Sequence, residues 1–317
     1  MRLPPSKQTI AAIRFGYGFH PEQTGPRDAA GLIASLGLGD AATRAAEPGL
    51  GGPPLAEQAA LFAEFAELRR RNRDDDLRPQ MKVLSRRITE AFRRASAARV
   101  LASVKSEHGF YERLVWFWAD HFAVAARNLH GRALTPRFEL DAIRPFVTGS
   151  FRSMLRAATT HPAMIWFLNQ NGSIGPNSEA GRRSGRGLNE NLAREVIELH
   201  TVGVGADYTQ NDVREFAELL TGLTFEFGTG EPRFVARRAE PGAETVMGVR
   251  YGGGAADIED IHAALDDLAA HPSTGRHIAN KLARHFVSDT PSDRLVTHIE
   301  TAFNRTDGRL TSVYEAL

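Results

Sequence analysis

Apolar residues return every three or four positions over most of this 317-residue chain, and that spacing restricts it to a fold of packed helices. Between Pro54 and Arg73 the residues Leu55, Ala59, Phe62, Phe65, Ala66 and Leu68 suit one buried stripe. A second long helix is predicted from about Pro79 to Val104. The aromatic run Phe110 to Phe122 follows as the expected centre of the core, with Phe110, Leu114, Trp118 and Phe122 on one face. Residues 136–168 read as two helices interrupted at His161-Pro162, because proline disfavours helix at the residue before it. Helices resume at 188–202, at 210–221 and from Ile258 onward. Thr209 and Asp212 have the spacing of a capping box at one of these starts. Gly25-Pro26-Arg27 reads as a short helix opening with proline in its first turn, and the Gly/Pro-rich 46–54 as a loop.

The pattern changes near Thr224. The segments 224–227, 233–236 and 245–249 are short and rich in β-formers, with turn residues between them. The predicted fold class is therefore mainly α: a large multi-helix globular domain over 1–317 with a small β hairpin or sheet insertion around 223–251. Residues 170–187 hold five glycines and Arg182, Arg183 and Arg186, and are expected to form a flexible loop. They lack the Gly-Lys-Ser/Thr ending of a phosphate-binding loop. Leu310 to Leu317 read as the inside of a helix with no stop signal, so the natural chain is expected to extend past Leu317.

Composition removes several function classes. Lys and Arg total 39 against 38 Asp and Glu, a net charge of +1, which gives no general drive toward nucleic acid. Arg86, Arg87, Arg93, Arg94 and Arg99 form a basic helix face, expected to be solvated. Cysteine is absent, which excludes disulfides, zinc–thiolate sites and a thiol nucleophile. No stretch is apolar for long enough to insert in a membrane. The N-terminus has no apolar signal core, so the default expectation is a cytoplasmic protein, with a periplasmic one open through an exported partner.

The most informative segment is Gly187 to Gly205. On an ideal helix Leu188, Leu192, Val196 and Leu199 share a face, Glu195 lies at its edge, and Asn191, Glu198 and Arg194 border it. A carboxylate beside a buried face needs a partner or a raised pKa. Two readings stay open. In one, Glu195, Glu198, His200 and Arg194, with His121 from the aromatic helix, form a catalytic site of metal-ligating or acid–base groups, and Asn189, Asn191 and Asp212 bind. In the other, Glu195 belongs to a structural ion-pair network with Arg144, Arg194 or Arg284. A divalent metal is the cofactor open to the first reading, and the sequence names none. His200 is expected to point away from the apolar face, near the helix C-terminus. His121 falls within the apolar face of its own helix. Glu195→Ala is expected to disturb the protein more than Glu190→Ala. Glu259-x-x-His262 is the only di-iron-like spacing and has no second copy, and His-Glu-x-x-His and Gly-x-Ser-x-Gly do not occur.

The long central motif continues through Tyr208-Thr209-Gln210-Asn211-Asp212-Val213 and Leu220-Thr221-Gly222. With Arg14-Phe15-Gly16, Trp116 to Phe122, His161-Pro162-Ala163-Met164, His271-Pro272-Ser273-Thr274 and Asn280 to Val287, it resembles the bacterial family called domain of unknown function 1800. The resemblance covers nearly the whole chain. It implies a protein partner, since such proteins are often exported and encoded beside a sulfatase-like protein. This chain departs from the family pattern where a His and a Lys are usual: it has Ala239 and Glu244. That departure puts any chemistry needing those two groups in doubt. The functional expectations are an uncharacterised enzyme with a polar site where the 189–200 helix meets the His121 helix, or a non-catalytic binding and assembly protein acting with an exported partner.

Overall fold

The helical periods become helices in a computed structural model, which describes residues 6–18, 26, 28–50, 52–71 and 76–317, with the backbone alone for 44–50. The helix start expected at Gly25-Pro26-Arg27 lies outside the described residues except for Pro26. The helix that follows is described over Ala29–Leu50 and runs through much of the 46–54 stretch expected as loop. Leu55–Arg71 and Arg78–Lys105 form the next two helices, the second with proline in its first turn, where a missing N–H costs little. They pack with Leu129–Phe138 around a small core of their own: Leu61, Phe62, Leu84, Ile88 and Ala133.

The main core is built on the aromatic helix, Gly109–His121. Leu114, Trp118 and, just past the helix, Phe122 are fully buried. The Trp118 indole N–H donates to the Tyr314 hydroxyl at 2.7 Å and so ties this helix to the last one, Leu310–Glu315. On its outer side Trp116 donates to Ser103 Oγ at 2.6 Å, and the Arg99 guanidinium lies 4.0 Å above the Trp116 ring. Arg86, Arg87, Arg93 and Arg94 are exposed, as a solvated face requires.

Two His-Pro pairs punctuate the helices in the same way. Each histidine is extended and its Nδ1 accepts the N–H two residues on: His161 from Ala163 at 3.0 Å, His271 from Ser273 at 3.2 Å. Each ring therefore caps the helix that its proline begins. Thr209 and Asp212 close the expected capping box on Gln210–Leu219.

The β component is two separate antiparallel hairpins: β1 (Leu223–Phe225) with β2 (Pro232–Phe234), and β3 (Ala243–Val246) with β4 (Val249–Gly252). The strand expected at 245–249 is instead a strand, a turn and the start of another. Met247 and Gly248 both take positive φ, 48° and 84°, which makes a tight two-residue hairpin. Aspartate 212 holds Met247 there by accepting its N–H at 2.6 Å. Within 170–187 there is a 3-10 turn, Gln170–Gly172, and a short helix, Glu179–Ser184. The Gly175 N–H donates to Arg238 O at 2.9 Å, and a Cβ on Gly175 would meet Glu240 N at 2.5 Å. Among the described residues no helix is long and apolar enough to cross a membrane.

Candidate acid–base site

The central helix is Asn191–Glu195, continued by a π-helical turn over Val196–His200. The π-turn inserts extra arc, so side chains after it lag the 100° step of an ideal helix. Leu199, expected inside, is 44% exposed, and His200, expected to point away, is 4% exposed. The wider turn thus replaces an apolar side chain in the core with an imidazole.

His200 meets His121 there, ring centroids 5.9 Å apart. Two further groups, which sequence reading did not select, complete the cluster: His277 and Lys281, one turn apart on the Pro272–Phe286 helix. His277 lies 6.2 Å from His121 by ring centroids, and Lys281 Nζ is 2.9 Å from His121 Nδ1. The i, i+4 spacing that puts both on one helix face was the available signal.

The hydrogen bonds fix the tautomer of His121. Its Nε2 lies 3.1 Å from the carbonyl of His200, which can only accept, so Nε2 carries the proton. Nδ1 is then an acceptor, and Lys281 donates to it. His277 repeats half of this arrangement, its Nε2–H donating to Leu199 O at 3.1 Å. Two imidazoles therefore satisfy carbonyls that the end of the central helix leaves free. Gly203, at φ +91°, lets the chain turn away close to His277: a Cβ there would stand 2.7 Å from His277 Nδ1.

All four groups are pushed toward neutrality. Burial depresses His121 well below the usual histidine value, helped by the charge of Lys281. His200 is lowered to about 3, by burial and then by Lys281. Burial lowers His277 as well, against the hydrogen bond to Leu199. Burial also lowers Lys281, opposed by the carboxylate of Asp120. His200 Nδ1 is buried with no hydrogen-bond partner among the described residues. Asp120 is exposed and lines a cavity of ≈360 Å³ with Arg99, Trp116, Glu139 and Arg144.

The other residues singled out from the sequence are placed apart from this cluster. Arg194 bridges Glu190 at 3.0 Å and Glu198 at 3.1 Å on the surface of the central helix, and also donates to Gln210. Glu195 is half-buried and its pKa is raised by burial and by Glu198. Among the described residues no cation pairs with it. Arg144, expected as its partner, is buried in a bidentate pair with Glu112 at 2.8 Å and also donates to Glu139 at 2.8 Å. Arg284 is exposed. Asn189 accepts the Asn191 N–H at 3.0 Å and donates to the carbonyls of Leu168 and Asn169, so it anchors the helix start, and Asn191 is exposed. Asp212 spends its oxygens on Thr209 and Met247. Among the described residues no group of three or more His, Asp or Glu side chains is placed to share a metal ion. The two departures from the family pattern, Ala239 and Glu244, line one pocket away from the histidines.

No curated protein and no solved structure matches the chain. The family described as "Protein of unknown function (DUF1800)" matches residues 10–317, nearly the whole sequence, and the chain belongs to that family.

Proposed function

We propose that the protein is an enzyme of acid–base type, with Lys281 as the proton-transferring group and His121 as the residue that positions it. The observation that carries this is the 2.9 Å contact between Lys281 Nζ and an imidazole nitrogen that can only accept. A lysine held against a neutral buried ring, with burial lowering its pKa, gives up its proton more readily than a solvated lysine does.

The sequence has only four lysines, Lys7, Lys82, Lys105 and Lys281, which makes the test direct. After reductive ¹³C-methylation, Lys281 is expected to titrate below the other three, and His121→Phe to move it further from them, because the nitrogen that accepts from the ammonium is lost while the burial remains. Lys281→Met is expected to remove the shifted signal and any proton-transfer activity found in a substrate screen. Four lysines titrating together, with Lys281→Met changing only thermal stability, would reduce the cluster to a helix clamp.

A second reading, assembly with an exported sulfatase-like partner, is supported by one feature. Tyr17, Val100 and Val104 are 54%, 49% and 66% exposed and line a common open groove. Co-expression with the sulfatase-like protein and size-exclusion chromatography test it: a complex abolished by Val104→Glu supports it, and separate elution of the two proteins removes it.

A further inference from the structure

The hairpin β3–β4 buries a carboxylate that has no counter-ion among the described residues. Glu244 is only 5% exposed, and its one hydrogen-bonding group among the described residues is its own backbone N–H. It lines a pocket of ≈220 Å³ whose other polar side chains are all acidic: Glu240, Asp257 and Asp260. The apolar walls come from Leu219, Phe234 and Ala239. Burying an unpaired carboxylate in like-charged company is expensive, and a cation entering the pocket removes that cost.

The donor set says which kind of cation. Glu240 is committed to Asn177, accepting its backbone N–H at 3.0 Å and its side-chain amide at 2.5 Å. Asp257 caps the Ile258–Ala270 helix by accepting the Glu259 N–H. Glu244 and Asp260 are left to bind, and no three carboxylates in this pocket are placed to share a metal ion. Two separated carboxylates against an aromatic wall suit a group that carries several N–H donors on an apolar stem. The volume lies below the roughly 300–1,000 Å³ of drug-sized ligand pockets, so the stem is short.

We propose that this pocket binds a small primary ammonium compound, with Glu244 as its counter-ion, Asp260 at its rim, and Phe234 and Ala239 against its stem. Glu244 also makes the binding pH-dependent. Its pKa is raised to about 7, by burial first and then by Glu218, Glu215 and Glu240. The titratable groups on its face are those three glutamates, Tyr251 opposite it in the hairpin, whose hydroxyl donates to Asp267 at 2.8 Å, and, from the Ile258–Ala270 helix start, Asp257 and Asp260. Arg214 is tied to Glu218 at 3.2 Å, Arg238 donates to Asn171 O and Ser173 O, and Arg250 sits opposite Thr245 and so faces the other side of the hairpin. A proton and an ammonium compete for the same carboxylate, so affinity falls as pH drops below about 7, approaching tenfold per pH unit.

Calorimetric titration of the whole protein with n-butylammonium chloride tests this, with n-butanol as the neutral isostere and calcium chloride as the metal control. The expected result is saturable binding of butylammonium at pH 8, weakened about tenfold at pH 6 and by more than about tenfold by Glu244→Gln, with no binding of butanol or calcium. Should Glu244→Gln not fold, Asp260→Asn at the rim supplies the comparison and is expected to weaken binding severalfold. Absence of butylammonium binding at millimolar concentration, equal binding by wild type and variant, equal binding of butanol, or preference for calcium would each overturn the proposal.

Discussion

Burial sets the charge state of single residues here, and the consequences have opposite signs. His200 is lowered to about 3 from the 6.5 it has when solvated. A depressed histidine contributes stability above pH 6.5 that is lost as pH falls, because only the unfolded chain takes up the proton. His121 and His277 act in the same direction. Glu244, raised to about 7, works the other way: its folded form is favoured below pH 4.5 and loses ground as pH rises through 7. Melting temperatures of wild type and His200→Gln between pH 7 and pH 4 separate them. The variant is expected to lose less stability on acidification, and equal slopes would mean that His200 is solvated. The Glu190 and Glu195 pair also reverses the order expected from sequence. Glu190 bonds Arg194 and Gln210, whereas no described cation meets Glu195. Glu190→Ala is expected to cost about 0.2–1 kcal/mol, as exposed ion pairs do, and Glu195→Ala less, by urea denaturation.

The π-turn is the element that makes the site, and its phase is testable by polarity. On an ideal helix Val196 and Leu199 are equivalent; here Val196 is fully buried and Leu199 is 44% exposed. Leu199→Asp is expected to change stability by less than about 0.5 kcal/mol, and Val196→Asp to unfold the protein or come close to it. Comparable destabilisation by the two would restore the ideal helix. The segment 170–187 divides in a similar way. Ser173, Ile174, Gly175, Ser178 and Gly181 are buried, while Arg182, Arg183 and Arg186 are exposed. Hydrogen exchange is expected to be slow near Gly175, whose N–H is bonded to Arg238 O, and fast from Arg182 to Gly187. Uniform exchange across the segment would contradict that division.

At the scale of the molecule, a buried ion pair joins the helical layers. Arg144, 2% exposed, reaches Glu112 on the aromatic helix and Glu139 on the π-turn after Leu129–Phe138, and its guanidinium also donates to Thr43 at 3.3 Å. Burial disfavours the guanidinium charge, but the two glutamates more than offset it and raise its pKa. Removing one partner strands the other, so Arg144→Met is expected to cost about 3–5 kcal/mol. The double variant Arg144→Met, Glu112→Gln is expected to recover part of that loss, because Glu139 keeps its pair with Arg99 and Glu112 no longer carries a charge. Urea denaturation of the set reads the coupling; strict additivity would mean that the pair is not what links the layers.

The sequence by itself determined the helical class, the apolar face of the aromatic helix, the His-Pro breaks and the Thr209 cap. Each is decided by side chains within a turn or two of one another, where periodicity and capping chemistry act. It also placed His121 inside the core, because Gly109–His121 is a regular helix. Tertiary structure decided what a local rule could not. The π-turn over Val196–His200 is stabilised by carbonyl partners from two distant segments, His121 and His277, and no spacing within 191–200 encodes them. Arg144 found Glu112, 32 residues away in sequence, rather than Glu195, because the two lie on helices that pack. The Met247-Gly248 turn needed Asp212 to hold a methionine at positive φ. The candidate site is thus a product of packing: Lys281 is 160 residues from His121, and only the closure of the core brings its amine to the acceptor nitrogen.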